Sequence, residues 1–148
     1  MEAKLRLLQT ATRQMQHSFP YQSSDRPESA LSCLLWLSVS SSILRPVLRI
    51  SSLVTLDISS NFIQGEIPGD GFVSLTSFIS LDMSDNSFNG SITPELFSLK
   101  TLQRLDLSRN VIGGTLSGDI KELKNLQELI LYENFIEGEI PPEIGSLA

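Results

Sequence analysis

Several residue types are scarce in this chain of 148 residues, and each scarcity excludes a class of site. The chain has one cysteine, Cys33, and one histidine, His17. A single cysteine cannot form an internal disulfide, so cysteine usage does not indicate the redox compartment. Neither residue lies in the repeated part of the chain described below, which also lacks a nucleophile paired with a base. We therefore expect no metal site, no cofactor and no enzymatic activity.

Long apolar runs are also missing. The longest, residues 30–44, spans fifteen residues and contains five serines. A membrane-spanning helix needs about 20 predominantly apolar residues, so the sequence predicts no transmembrane helix. The stretch has the length of a signal-peptide core, but Asp25 and Glu28 precede it where a short basic region is expected. A working signal peptide, with a start site chosen too far upstream, is the less favoured alternative.

Glycine and charge are unevenly distributed along the chain. All nine glycines follow residue 64. Residues 1–52 carry a net charge of +3 and residues 53–148 carry −9. Such an acidic region would repel phosphates, which argues against a nucleic-acid partner. A solvated acidic surface is the favoured interpretation, and a dedicated site for a basic ligand is the alternative.

A pattern returns every 24 or 25 residues in the second part of the chain. Each copy has the form apolar-x-x-Leu-x-apolar-x-x-Asn. The four copies are Leu53 to Asn61, Phe78 to Asn86, Leu102 to Asn110 and Leu126 to Asn134. A fixed period in this range predicts a solenoid, which is typically a binding scaffold rather than a catalyst.

The alternation within each copy predicts a short β-strand. Leu56 and Ile58 alternate with Asp57 and Ser59, so one face points inward and the other outward. With one strand per repeat and a return of about twenty residues, the strands must be parallel. The inward residues then stack into columns, because no single repeat can bury its apolar face alone.

A polar residue ends each strand at the same position. An amide side chain there offers two donors and an acceptor to the backbone groups that the turn leaves unpaired. We therefore predict a structural asparagine ladder rather than four ordinary turn residues. Its members are Asn61, Asn86, Asn110 and Asn134.

The residues that follow each asparagine complete a family resemblance. Leu53–Pro68 and Leu126–Pro141 nearly match Leu-x-x-Leu-x-Leu-x-x-Asn-x-Leu-x-Gly-x-Ile-Pro. This pattern resembles the plant-type leucine-rich repeat, and the third copy is similar to extracellular domains of plant receptor-like proteins and receptor-like kinases. The resemblance implies an α/β-type solenoid: a right-handed coil with a short parallel β-sheet on its concave face. Irregular or 3-10 segments are expected on the convex side.

Two parts are expected within the chain. Residues 1–43 form a non-repeat segment, partly helical or disordered, with helices predicted over 1–17 and 29–37. Residues 44–148 form about four repeats, truncated at both ends relative to the family. The start near residue 44 is expected because Val47 and Ile50 hold the offsets that Phe72 and Leu75 hold in the next copy.

Ligand-binding candidates are the outward strand residues of the concave face, as the resemblance implies. The least repetitive are Arg104, Glu128, Ile130 and Tyr132, with an exposed Ile130 beside Tyr132 as a contact patch. Asp57, Asp82 and Asp106 form another outward row. Neighbouring strands place them about 5 Å apart, within range for paired acids. The repeat itself explains their placement, so a solvated ladder is favoured over a catalytic pair.

One glycosylation sequon occurs, Asn89-Gly90-Ser91, and a glycan on Asn89 is expected if the chain is secreted. Chance alone would supply about one such sequon in a chain this rich in serine and threonine. Its presence therefore does not establish secretion.

The favoured function is recognition of a protein or peptide by part of a plant cell-surface receptor-like protein, in defence or development. Another leucine-rich repeat receptor is a second partner implied by the resemblance. Localisation is then extracellular or at the plasma membrane, with membrane attachment only through parts that this chain lacks. The alternatives are a secreted inhibitor of the polygalacturonase-inhibitor type and a truncated gene product without independent function.

Overall fold

The computed structural model describes residues 39–147, which wind through a solenoid of successive coils. The seven strands are β1 (Val39–Ser40), β2 (Thr55–Asp57), β3 (Ile63–Glu66), β4 (Ser80–Asp82), β5 (Ser87–Asn89), β6 (Arg104–Asp106) and β7 (Glu128–Ile130). One α-helix, α1 (Leu44–Leu48), lies near the start of this part. The 3-10 helices are η1 (Ser41–Ile43), η2 (Phe72–Ser74), η3 (Pro94–Ser98), η4 (Gly118–Glu122) and η5 (Pro142–Ser146).

The predicted strands form one parallel sheet of four, in the order β2-β4-β6-β7. The pairing keeps equivalent repeat positions in register, so that Leu56, Leu81, Leu105 and Leu129 follow one another across the sheet. The solenoid with a parallel sheet on its concave face is thereby confirmed. The register also aligns the outward side chains in rows, which defines the candidate surface.

The core lies behind this sheet and follows the inward columns. Phe78, Leu81, Leu105 and Leu107 are all fully buried. Each such side chain contributes about 1.5–3 kcal/mol by leaving water. Because the partners of each column member belong to the neighbouring coils, this stabilisation exists only when the coils are stacked.

A second parallel sheet, which the sequence analysis did not predict, has the order β1-β3-β5. Its strands β3 and β5 come directly after turns of the concave face, and they bury Ile63 and Phe88 while the residues beside these two stay exposed. Gly90 follows β5 with φ of 70°, a left-handed conformation that glycine adopts without steric cost. The apolar residue before each repeat glycine is the sequence feature that indicates these strands.

The convex side carries the predicted 3-10 segments. Pro94 and Pro142 stand at the first positions of η3 and η5, where no backbone N–H is needed. Leu96 on η3 and Ile120 on η4 are buried against the core. The helices therefore return the chain to the next strand while closing the back of each coil.

Val47 and Ile50 hold the repeat offsets in the sequence, but the backbone at Val47 is helical and buries other side chains more fully. Residues 44–48 form an α-helix, whose spacing puts Leu44 and Leu48 on one face, and these two side chains are buried. Val47 is only partly buried and Ile50 is exposed. Gly71, at φ of 145°, lies so close that a Cβ there would come within 2.6 Å of the Leu48 Cβ.

Val39, the first described residue, pairs with Ile63 of β3. The helices predicted over 1–17 and 29–37 lie outside the described residues. The division of the chain into a non-repeat segment and a repeat region at residue 44 stays a prediction.

Candidate functional site

Three aspartates of the concave face form the same local turn. In each, Oδ1 accepts hydrogen bonds from the backbone N–H and the hydroxyl of the serine two residues later. The N and Oγ distances are 3.0 and 2.7 Å for Ser59 on Asp57, 3.0 and 2.6 Å for Ser84 on Asp82, and 3.1 and 2.6 Å for Ser108 on Asp106. One carboxylate oxygen of each aspartate therefore fixes the strand end, which is a structural role that the sequence analysis missed.

Arg104 joins two neighbouring strands of the sheet. Its guanidinium donates to Oδ2 of Asp106 at 3.0 Å and to Oε2 of Glu128 on β7. The hydrogen bond that Arg104 donates to Glu128 raises the pKa of Arg104, and the charges of Glu128, Asp106 and Asp82 act in the same direction. The guanidinium is thus held over β6 and β7 in its charged form, and the structure brings three of the predicted contact residues together.

Ile130 and Tyr132 lie on the last coil of the concave face, at the end of β7 and just after it. The Tyr132 ring is about half exposed, and the Arg109 guanidinium lies 5.7 Å from its centre, within range for a cation–π contact. Arg109 also donates through Nε to Glu133 at 3.2 Å. Ile130 was expected to be exposed but is only partly so, because it pairs in register with Asp106 on the adjacent strand.

The asparagine side chains bridge successive coils. The Asn110 amide donates to the carbonyls of Leu107 and Ser108 in its own coil and to Met83 in the preceding one, at 3.0–3.1 Å. Its Oδ1 accepts from the Phe88 N–H at 2.9 Å. Asn86 and Asn134 repeat this arrangement, whereas the Asn61 amide donates to the Ile58 and Ser59 carbonyls of its own coil. These residues are therefore positioned as structural links.

The residue before each ladder asparagine has a left-handed backbone although none is glycine. The φ values are 54° for Ser60, 57° for Asp85, 53° for Arg109 and 54° for Glu133. This conformation turns the chain so that the following amide points inward. It also projects Arg109 outward beside Tyr132, a placement that no spacing rule in the sequence indicated.

Asn89 is exposed at the end of β5, in register with Glu66 on β3. It lies on the second sheet and not on the concave face. On the same flank, a cleft of about 550 Å³ is lined by Ser40, Arg45, Glu66, Asp70 and Glu95, among others. Thr93 donates a hydrogen bond that lowers the pKa of Glu95.

Two further observations concern residues 39–147. No helix in this part has the length and apolar character needed to cross a bilayer. Among the same residues, no three His, Cys, Asp or Glu side chains are grouped as a metal site would require.

Comparison with known proteins identifies the repeat. A Leucine Rich Repeat family model matches residues 52–72, 77–99 and 125–147, and a second Leucine Rich repeat model matches 98–115, so more than half of the chain is matched. The chain belongs to the leucine-rich repeat family. Its leucine-rich repeats are similar to those of Receptor-like protein 46 from Arabidopsis thaliana, with 80% identity over 61 residues. That segment is 41% of this chain and 8% of the relative.

Solved leucine-rich repeat structures give the same result. The plant peptide hormone receptor RGFR1, in complex with RGF2, is 41% identical with a TM-score of 0.63 over 66% of this chain. The Arabidopsis receptor kinase HAESA, in complex with the peptide hormone IDA and the co-receptor SERK1, is 38% identical with a TM-score of 0.67 over 73%. The chain spans only 15% and 18% of the lengths of these two receptors.

Proposed function

We propose that this chain is a protein- or peptide-recognition module of a plant cell-surface leucine-rich repeat receptor-like protein, acting in defence or developmental signalling. The observation that carries the proposal is the concave face, where the repetitive Asp-x-Ser pattern gives way to Ile130 at the end of β7 and Tyr132 two residues later. Structural residues of a repeat recur, whereas residues that contact a partner need not. The departure from the pattern therefore indicates the contact surface.

The relatives support this function and this location. The solved receptors above were obtained with peptide hormones, and HAESA also with a co-receptor. Other structural relatives are ectodomains, including that of a plant membrane receptor kinase. We accordingly propose a peptide or a second leucine-rich repeat receptor as the partner, outside the cell or at the plasma membrane.

We propose no catalytic role for the aspartate row. Each carboxylate is engaged by the serine of its own turn, and Asp106 is also engaged by Arg104. A general acid or base must be able to exchange its proton with a substrate. Oxygens that hold a strand end in place are poorly suited to that task.

The size of the face sets the expected affinity. Four strands about 4.8 Å apart, with outward side chains over a span of about five residues or 15 Å, give a surface on the order of 300 Å². A standard interface takes about 800 Å² per partner. Binding by this face alone should therefore be weak. Tight recognition would require a partner that also contacts other surfaces.

Selection of short random peptides displayed on phage, against the immobilised chain, tests the proposal. The matched variant combines Ile130→Asp with Tyr132→Ser. These changes give the last coil the same Asp-x-Ser sequence as the other three coils, so the turn at the strand end should be preserved. Peptides enriched on the natural chain should lose about tenfold or more in binding to this variant. Val73→Ser, at a well-exposed residue on η2, is the control and should leave binding unchanged.

Equal binding to the natural chain and the Ile130→Asp/Tyr132→Ser variant would place the contact elsewhere and overturn the proposal. Failure to enrich any peptide over an unrelated immobilised protein would do the same. The far-ultraviolet circular dichroism of each variant shows that the coils remain folded.

A further inference from the structure

The concave face contains its own example of how a guanidinium binds an Asp-x-Ser turn. In the third coil, the Asp106 Oδ1 is occupied by Ser108, while Oδ2 accepts a hydrogen bond from Arg104 at 3.0 Å. The turn therefore presents one carboxylate oxygen to the face after the other has fixed the strand end. Arg104 stands two residues before Asp106 on the same strand, so its side chain lies on the same face.

The preceding coil has the same turn but not the arginine. Asp82 is in register with Asp106, and its Oδ1 is occupied by Ser84. The position that corresponds to Arg104 is Ser80, which is uncharged. A guanidinium or ammonium group from a partner could therefore approach the Asp82 Oδ2 as Arg104 approaches the Asp106 Oδ2.

The charge of the face favours such a partner. The outward positions of the four paired strands carry the carboxylates of Asp57, Asp82, Asp106 and Glu128 and the guanidinium of Arg104. The Arg104 guanidinium already bonds two of these four carboxylates. Beside Tyr132, the charge of a second guanidinium, that of Arg109, is balanced by its partner Glu133. The face as a whole is therefore acidic, and a cationic group is the complementary partner.

The separation between Asp82 and the apolar residue Ile130 determines how far apart the two contacts of a bound peptide must be. From β4, which carries Asp82, to β7, which carries Ile130, there are two strand spacings, or about 10 Å. An extended peptide rises about 3.3 Å per residue and points alternate side chains the same way. Two residues on one face of such a peptide, four positions apart, lie about 13 Å apart. A flexible arginine or lysine side chain can span the remaining difference of about 3 Å between these two distances.

We propose that the concave face binds an extended peptide segment with an arginine or lysine on Asp82 and an apolar residue, four positions away, on Ile130 and Tyr132. This inference rests on the proposed function, since it names the class of peptide recognised by that site. The Arg109 guanidinium over the Tyr132 ring holds the ring in place beside the apolar residue. The binding energy comes from one charge-assisted contact and one apolar contact.

Two synthetic peptides test the chemistry, acetyl-Gly-Arg-Gly-Ser-Gly-Leu-Gly-amide and the same peptide with neutral citrulline in place of arginine. Titration into the ¹⁵N-labelled chain, followed by NMR, measures the dissociation constant of each. The arginine peptide should bind about three- to tenfold more tightly, which corresponds to one exposed charge-assisted hydrogen bond. The largest shifts should fall on β4 and β7.

The decisive variant is Ser80→Arg. It places an arginine beside Asp82 as Arg104 stands beside Asp106, so it occupies the carboxylate without removing any hydrogen bond of the turn. Binding of the arginine peptide should fall to the level of the citrulline peptide. Ser87→Arg adds the same charge on β5, away from the concave face, and should reduce binding by less than about twofold.

The outcomes separate this inference from the proposed function. Equal affinity of the two peptides, or equal loss in Ser80→Arg and Ser87→Arg, overturns the basic-peptide inference. So does the absence of binding by either peptide. In each case the phage selection still decides the proposed function, because enriched peptides without a basic residue would support recognition by this face while refuting the charge preference.

Discussion

At each turn that ends a concave strand, one asparagine side chain serves two coils at once. Asn110 is the most enclosed case, with 6% of its surface exposed and its amide bonded to three carbonyls. A side chain that hydrogen-bonds to buried backbone groups stabilises the fold mainly because those groups would otherwise be buried without a partner. The position therefore tolerates little beyond an amide of the same length.

Replacing this residue should be costly. We expect Asn110→Ala to reduce the free energy of unfolding by about 1–3 kcal/mol, because the Phe88 N–H loses its acceptor and the Met83 carbonyl keeps the Asn86 amide but loses that of Asn110. Urea denaturation monitored by circular dichroism measures the change. Asn61→Ala is the matched control and should cost less, since Asn61 is more exposed and its amide bonds Ile58 and Ser59 in its own coil. Equal losses at both positions would contradict the bridging role.

At the scale of elements, ion pairs connect neighbouring coils on the convex side. Lys100, after η3, donates to Glu122 in η4 at 2.5 Å. This hydrogen bond, followed by the charges of Lys100, Lys124 and Lys121, lowers the pKa of Glu122 from its usual 4.5. A glutamate with a lowered pKa in the folded chain stabilises the fold above its ordinary pKa, and this contribution is lost as the pH falls through the lowered value.

The pair should therefore show a characteristic pH dependence. Lys100→Ala should slightly lower the melting temperature at pH 7, and the difference from the natural chain should vanish as the pH falls well below 4.5. The backbone carbonyl of residue 100, which accepts from Asn125 at 2.6 Å, stays intact in this variant. Lys121→Ala, which removes a charge but not this hydrogen bond, should have a smaller effect. A difference that persists unchanged at low pH would refute the assignment.

The second sheet determines where a glycan would lie. Asn89 is exposed at the end of β5, while the four ladder asparagines have their amides bonded to carbonyls. We predict that the chain, expressed with a secretory leader in a plant host, carries an N-glycan at Asn89. Removal with a glycosidase should reduce its mass, and Asn89→Gln or Ser91→Ala should abolish the change. An unshifted mass for the natural chain would refute the prediction.

A glycan at this position would leave the concave face open, since β5 belongs to the other sheet. Ile130→Asp with Tyr132→Ser alters only the concave face. It should therefore not change the mass shift, which makes the double variant a control for the glycosylation experiment.

At the scale of the whole molecule, the sequence predicted what depends on periodicity. The strands of the concave face, their register and the inward columns follow from the spacing of Leu56, Leu81, Leu105 and Leu129. The rest depends on local conformations that spacing does not encode. The α-helical spacing that buries Leu48 instead of Val47 is one case. The left-handed residue that places Arg109 over Tyr132 is another.

The candidate site was predictable to a similar extent. Alternation placed Arg104, Glu128 and Tyr132 on one face, because outward residues of paired strands share a row. It could not show that Arg104 bonds both Asp106 and Glu128, because that depends on the rotamers of long side chains. The Asp-x-Ser turns could have been predicted from the sequence, since an aspartate followed two residues later by a serine recurs in three of the four copies.

The stacking of coils also implies uneven stability along the solenoid. Leu81 and Leu105 are fully buried, whereas Leu129, Leu131 and Ile136 in the following coil are only partly buried. Because each coil is stabilised by its neighbours, local opening costs less where the columns are less covered. Incomplete burial of three such side chains forfeits about 1–2 kcal/mol.

Native-state hydrogen exchange should reveal this gradient. We expect the amides of Leu81 and Leu105 to exchange about tenfold or more slowly than that of Leu129, since 1.4 kcal/mol corresponds to a factor of ten. Mass spectrometry of short peptides, or NMR with residue resolution, measures the rates. A peptide partner bound across β4, β6 and β7 would join the less protected strand to the protected ones, so exchange at Leu129 should slow most on binding. Uniform exchange across the sheet would mean that the coils unfold as one cooperative unit, and burial would then not determine local stability.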